Sequence, residues 1–79
     1  MNNQSTLSFM RFRLALTAEK YLEYYKGNAK NIVARSENGR SIKFPANAIQ
    51  GFLTHEGIFG LFEIQFDKNN KLIKIIKIN

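Results

Sequence analysis

The sequence predicts an α+β domain built on a strongly bent, mainly antiparallel five-stranded sheet, a half-open barrel that one helix closes on one side. Three observations predict it. Two stretches alternate apolar and polar residues, Met10, Phe12, Leu14 and Leu16 in the first and Phe62, Ile64 and Phe66 in the second. One stretch, Ala18, Tyr21, Leu22 and Tyr25, recurs with helical spacing. Turn signals at Gly27, Asn38-Gly39, Pro45 and Asp67 to Asn70 fall between the patterned segments. The resulting order is strand, helix, strand, strand, short helical turn, strand, strand.

The first strand covers Met10 to Leu16 and turns Arg11 and Arg13 outward. Thr17 follows as an N-cap, its hydroxyl placed to accept from an unpaired amide of the first helical turn. Lys20 stands where a capping box needs an acidic residue, so no box forms. The helix packs Tyr21, Leu22 and Tyr25 inward, leaves Tyr24 exposed, and ends at a left-handed Gly27. At roughly nine residues it is too short to persist alone in water, so it must dock on the sheet.

Strands over Asn31 to Ser36 and Arg40 to Phe44 form a hairpin whose register can be argued. A two-residue Asn38-Gly39 turn would set Val33 opposite Phe44 and Arg35 on the face of Ile42. A three-residue loop, Glu37-Asn38-Gly39 with Gly39 left-handed, sets Ile32 opposite Phe44 and Ala34 opposite Ile42. Only the second keeps the apolar residues together and turns Arg35 and Lys43 outward, so it is the predicted register. Pro45 cannot donate to a ladder and ends the strand.

Ala46, Ile49, Phe52 and Leu53 suit a short helical turn laid on the core, and the stretch from Thr54 to Gly57 reads as a loop. Phe62 to Phe66 and Leu72 to Ile78 form the last hairpin. In that final strand Lys74 and Lys77 cannot share a face without a bulge; they read as gatekeepers of an Ile-rich edge. The predicted core is Phe12, Leu14, Leu16, Tyr21, Leu22, Tyr25, Ile32, Ile42, Phe44, Ile49, Phe52, Phe62, Ile64 and Phe66.

At 79 residues the chain allows one domain, taken as 7–79 behind a disordered polar tail at 1–6. The chain has seven Phe and three Tyr to supply large apolar side chains, and no cysteine. That composition excludes a disulfide framework, a thiolate metal site and a thiol nucleophile. No apolar run approaches the roughly 20 residues of a membrane helix, and the first residues carry no signal-peptide pattern. A cytoplasmic location and no membrane partner are expected.

Twelve Lys and Arg against six Asp and Glu give a net charge of +6, which invites a nucleic-acid partner. The same charge has a compositional rival, because Lys, Asn and Ile abound together, as AT-rich coding produces without a partner. Catalytic chemistry is sparse: His55 is the one histidine, so a two-histidine metal site is excluded, and no enzyme activity, metal or cofactor is expected. Gly51, Gly57 and Gly60 match no phosphate-cradling fingerprint and read as turn residues.

Two function classes follow. The first is a basic module that binds RNA or DNA through the phosphates, using Arg11, Arg13, Arg35, Arg40 and Lys43. It needs those residues to be contiguous, and no aromatic residue is read on their face to stack bases. The second is a protein-interaction or adaptor module, a homodimer included, using Ile58, Phe59 and Leu61 of the Gly57–Phe62 segment or an edge strand. A continuous basic stripe without apolar exposure favours the first; an exposed apolar patch favours the second.

The run Tyr21-Leu22-Glu23-Tyr24-Tyr25-Lys26-Gly27, then Val33-Ala34-Arg35, Gly39-Arg40 and Ile42-Lys43-Phe44-Pro45-Ala46, resembles a family of small bacterial proteins. So does Phe52-Leu53-Thr54-His55-Glu56-Gly57-Ile58-Phe59-Gly60-Leu61-Phe62. These are stand-alone proteobacterial chains classed as a domain of unknown function. The resemblance implies a free-standing cytoplasmic protein and carries over no activity and no site residue. By contrast, small β-barrel domains that bind cyclic dinucleotides use arginines four apart before an Asp-x-Ser-x-x-Gly stretch. Arg35 and Arg40 are one residue too far apart, and no such stretch follows.

Overall fold

The computed structural model describes residues 7–27 and 30–79. The tail expected over 1–6 lies outside the described residues. The elements come in the expected order: β1 (Ser8–Thr17), α1 (Ala18–Lys26), β2 (Asn31–Arg35), β3 (Ser41–Pro45), a 3-10 helix (Ala46–Phe52), β4 (Gly57–Phe66) and β5 (Leu72–Lys77). The fold is α+β with antiparallel strands, but the strands do not form the single bent sheet that was expected. They divide into a three-stranded sheet ordered β1-β4-β5 and a two-stranded β2-β3 hairpin.

Among the described residues, the two sheets share one backbone junction. An antiparallel bridge joins Phe12 to Ser36, and the Glu37 amide donates to the Arg11 carbonyl at 2.8 Å. Beyond that point the hairpin leaves the plane of β1, because its inner face must be buried. Ile32, Ile42 and Phe44 turn onto the larger sheet, where the Phe12 ring lies 5.4 Å from Phe44 and 5.7 Å from Phe62. Extending the ladder edge to edge would have left that apolar face in water.

The hairpin has the predicted register, with Ile32 opposite Phe44 and Ala34 opposite Ile42. Gly39 is left-handed at φ +86°. Ser36 closes the loop: its carbonyl accepts from the Gly39 amide at 2.9 Å, its amide donates to the Arg40 carbonyl at 2.8 Å, and its hydroxyl accepts from the Arg40 amide at 3.0 Å.

At the start of α1 the Thr17 hydroxyl accepts from the Lys20 amide at 3.2 Å, as the N-cap reading requires. Two other expectations for the helix are corrected. Gly27 is not left-handed; its φ is −70°, and its amide closes the last turn on Tyr24. The buried stripe is also rotated: Tyr21 is buried and Tyr24 packs partly on the core, whereas Leu22 and Tyr25 are exposed. The cause is the Tyr21 hydroxyl, which donates to the Ala46 carbonyl at 2.9 Å and fixes the rotation of the helix about its axis.

Ala46, Ile49 and Phe52 recur every third residue, matching the three-residue turn of a 3-10 helix, and all three face the core. Leu53 lies beyond it and is exposed. The segment from Gly57 to Leu61 is the first half of β4, pairing with β1 from Thr17 opposite Gly57 onward. Ile58 is therefore wholly buried in the core. In β5 the irregularity falls at Ile73, between the pairs Phe66–Leu72 and Gln65–Lys74. Lys74 and Lys77 then lie on opposite faces, across from Gln65 and Phe62.

Candidate functional site

The larger sheet has an inner and an outer face. Along β1 the inner positions are Met10, Phe12, Leu14 and Leu16, matched on β4 by Ile64, Phe62, Gly60 and Ile58. Helix α1, the 3-10 helix and the hairpin all contribute to the core on this side. The outer face carries Phe9, Arg11, Arg13 and Ala15 of β1 opposite Gln65, Glu63, Leu61 and Phe59 of β4. Beside them on β5, Lys74 lies across from Gln65 and Ile76 from Glu63. Past the end of β5, the Ile78 amide donates to the Leu61 carbonyl at 2.7 Å, which sets Ile78 beside Leu61.

All five candidate phosphate contacts are exposed, but they are not equivalent. Arg11 is engaged: its Nε lies 3.3 Å from Glu63 Oε1 in a cross-strand ion pair. The other Glu63 oxygen accepts from the side-chain Nε2 of Gln65 at 3.2 Å, so the carboxylate is matched on both sides. Arg11 also lines a cleft with Phe9 and Glu37, which adds a second carboxylate to its surroundings. Arg35 Nη1 donates to the Gly39 carbonyl at 2.8 Å, a contact that orients the guanidinium without neutralising it.

The bridge between the sheets decides which charges lie together. With Phe12 paired to Ser36 in antiparallel sense, Arg35 stands next in register to Arg13, and Glu37 next to Arg11. Arg35 and Lys43 share the outward face of the hairpin, with Lys43 paired to Val33. Arg40 and Lys43 line a common cleft with Met10 and Phe66. Register thus sets Arg13 beside Arg35, Arg35 shares a face with Lys43, and Lys43 shares a cleft with Arg40. Among the described residues the ion pairs are Arg11–Glu63 and Lys20–Glu23, and neither draws on those four residues.

The three candidates of the interaction surface divide differently. Ile58 is core and unavailable, Leu61 is half-buried, and Phe59 is exposed on the outer face. Sequence reasoning missed Phe9, Ile76 and Ile78, which lie on that face and are exposed. The signal for Phe9 was present: it has the parity of Arg11 and Arg13, one step before the predicted start of the strand. His55 is exposed in the loop that Thr54 closes on Gly57, with the Thr54 hydroxyl donating to the Gly57 carbonyl at 2.6 Å. Among the described residues no group of three or more His, Asp or Glu could hold a metal ion. No helix among them is long and apolar enough to cross a membrane.

Fold and surface define a small α+β domain with a basic edge beside a partly apolar sheet face whose described residues include several exposed side chains. The family follows from the sequence. A family model described as "Protein of unknown function (DUF2835)" matches residues 8–78, and the chain belongs to that family. No curated protein and no solved structure matches it.

Proposed function

We propose that the chain is a non-enzymatic basic module that binds nucleic acid through the phosphates and acts in the cytoplasm. The supporting observation is the β1–β2 junction, which sets Arg13 and Arg35 next in register and continues into Lys43 and Arg40. Cations brought together without carboxylate partners repel one another, and a polyanion relieves that repulsion. Arg11 is the weakest of the five contacts, because Glu63 already holds it.

Fluorescence anisotropy with a short single-stranded RNA and a DNA duplex, at roughly 50 and 200 mM salt, tests the reading. Four phosphate contacts imply a slope of log K on log salt near −3 for a single strand, hence a loss of affinity of about 50-fold across that range. Arg13→Ala/Arg35→Ala should roughly halve the slope, whereas Arg11→Ala should change it little. No binding at the lower salt overturns the proposal.

The second reading, a protein-interaction or adaptor module, draws on the exposed side chains of Phe59, Ile76 and Ile78 beside half-buried Leu61. A second copy is a poor fit as the partner. The net charge of +6 and the arginines bordering the face would meet their like across a two-fold interface. Concentration-dependent dimerisation in sedimentation that Phe59→Ala abolishes would favour this reading instead.

A further inference from the structure

We propose that the outer face of the β1-β4-β5 sheet is a platform for single-stranded nucleic acid. Bases stack on Phe59 and Phe9 and lie over Leu61, Ile76 and Ile78, while the phosphates follow Arg13 toward Arg35. The inference rests on the phosphate-binding reading and names its substrate class.

Two features of this surface are unusual together. Among the described residues, the face exposes Phe9 (54%), Phe59 (43%), Ile78 (39%) and Ile76 (37%) to solvent. Its border is cationic. Arg13 stands directly opposite Leu61 and diagonally from Phe59, and it leads across the junction to Arg35. A ligand that satisfies both features needs flat apolar faces and regularly spaced negative charge, which an unpaired strand offers. A duplex keeps its base faces stacked inside and presents phosphates, sugars and groove edges, so it would engage the basic edge and gain no stacking from the apolar face.

The spacing fits a short footprint. Phe9 and Ala15, which stands opposite Phe59, are six steps apart along β1, and at the rise of a strand this is about 20 Å. The span suits a segment on the order of four nucleotides, the low end of single-strand sites on sheet platforms. Glu63, in the middle of the face, is no barrier, because Arg11 and Gln65 already match its carboxylate. Successive bases have π-faces whatever their identity, so stacking here would discriminate poorly among sequences.

The test compares a labelled oligouridylate of about ten nucleotides with a duplex of equal length at roughly 50 mM salt. Single-stranded RNA should bind at least about tenfold more tightly than duplex, and Phe59→Ala should remove about tenfold of its affinity. Duplex binding and the salt slope should stay unchanged in that variant. Arg13→Ala should weaken both ligands and flatten the slope.

The chain has no tryptophan, so Phe59→Trp places a single indole on the platform. Its fluorescence should be quenched by the single strand and not by the duplex. If Phe59→Ala and Phe9→Ala leave single-strand affinity unchanged while Arg13→Ala lowers it, the platform is overturned and phosphate binding stands. If neither ligand binds, both proposals fall. Dimerisation lost in Phe59→Ala, with no oligonucleotide bound, would assign the face to a second copy and overturn the platform as well.

Discussion

Among single residues, Tyr21 ties most of the structure together. It is the buried side chain of α1, its ring lies 5.9 Å from Tyr25, and its hydroxyl donates to the Ala46 carbonyl at the start of the 3-10 helix. Burial, and secondarily the neighbouring Tyr25 phenol, raises its pKa above the ordinary tyrosine value. The folded state therefore holds the phenolic proton more tightly than the unfolded state. Stability from this group is fully present below the unfolded pKa of about 10 and is lost as pH rises through the higher folded value. Tyr21→Phe should cost about 1 kcal/mol at neutral pH, because it leaves the Ala46 carbonyl without its donor. Urea unfolding at a series of alkaline pH values should show the difference between the two proteins shrinking as pH rises. A difference that stays constant would deny Tyr21 its part in the alkaline loss.

At the scale of elements, two glycines that look alike in sequence do different work. Gly39 is left-handed at the hairpin tip, and a β-carbon there would meet no atom within 4 Å. Gly57 has φ +136°, and its β-carbon would lie 2.1 Å from the Leu16 carbonyl oxygen and 2.8 Å from the Ala18 amide nitrogen. Gly39→Ala should cost only the left-handed strain, about 1 kcal/mol, with Gly39→Asn cheaper still. Gly57→Ala should cost more than about 2 kcal/mol, because the backbone of the β1–α1 corner cannot yield. Chemical denaturation of the three variants checks the ranking, and equal losses at both positions would refute it. The same pair shows what the sequence could convey. The hairpin register was legible because a one-residue slip flips every side chain, and only one choice kept Ile32, Ala34, Ile42 and Phe44 together. The first half of β4 was not, because Gly57 and Gly60 read as loop punctuation. The period-two run Ile58, Gly60, Phe62, Ile64, Phe66 passes through a glycine that makes room for Asn79. A β-carbon at Gly60 would lie 2.6 Å from the Asn79 carbonyl oxygen.

For the whole molecule, the division into two sheets is what local patterns could not convey, since it depends on the single bridge at Phe12 and Ser36. The candidate basic residues were legible as outward positions, and that part of the site needed only parity. That Arg13 rather than Arg11 leads that set required the cross-strand Glu63, a partner far away in sequence. Phe12 is the hinge of this arrangement. It belongs to the larger sheet, carries the bridge to the hairpin, and packs its ring between Phe44 of one sheet and Phe62 of the other. If one core holds both sheets, they cannot unfold separately, and the chain should melt in a single transition seen alike by backbone and tyrosine signals. A domain of this size holds about 4–12 kcal/mol in total, and Phe12→Ala should remove about 3–5 kcal/mol of it. Phe9→Ala, three residues away at an exposed position of the outer face, should stay within about 0.5 kcal/mol of the parent. Circular dichroism melts in the far and near ultraviolet would check both. Two separated transitions in the parent would mean that the hairpin folds independently of the larger sheet. A large loss in Phe9→Ala would mean that the outer face contributes to the fold and is not held open for a ligand.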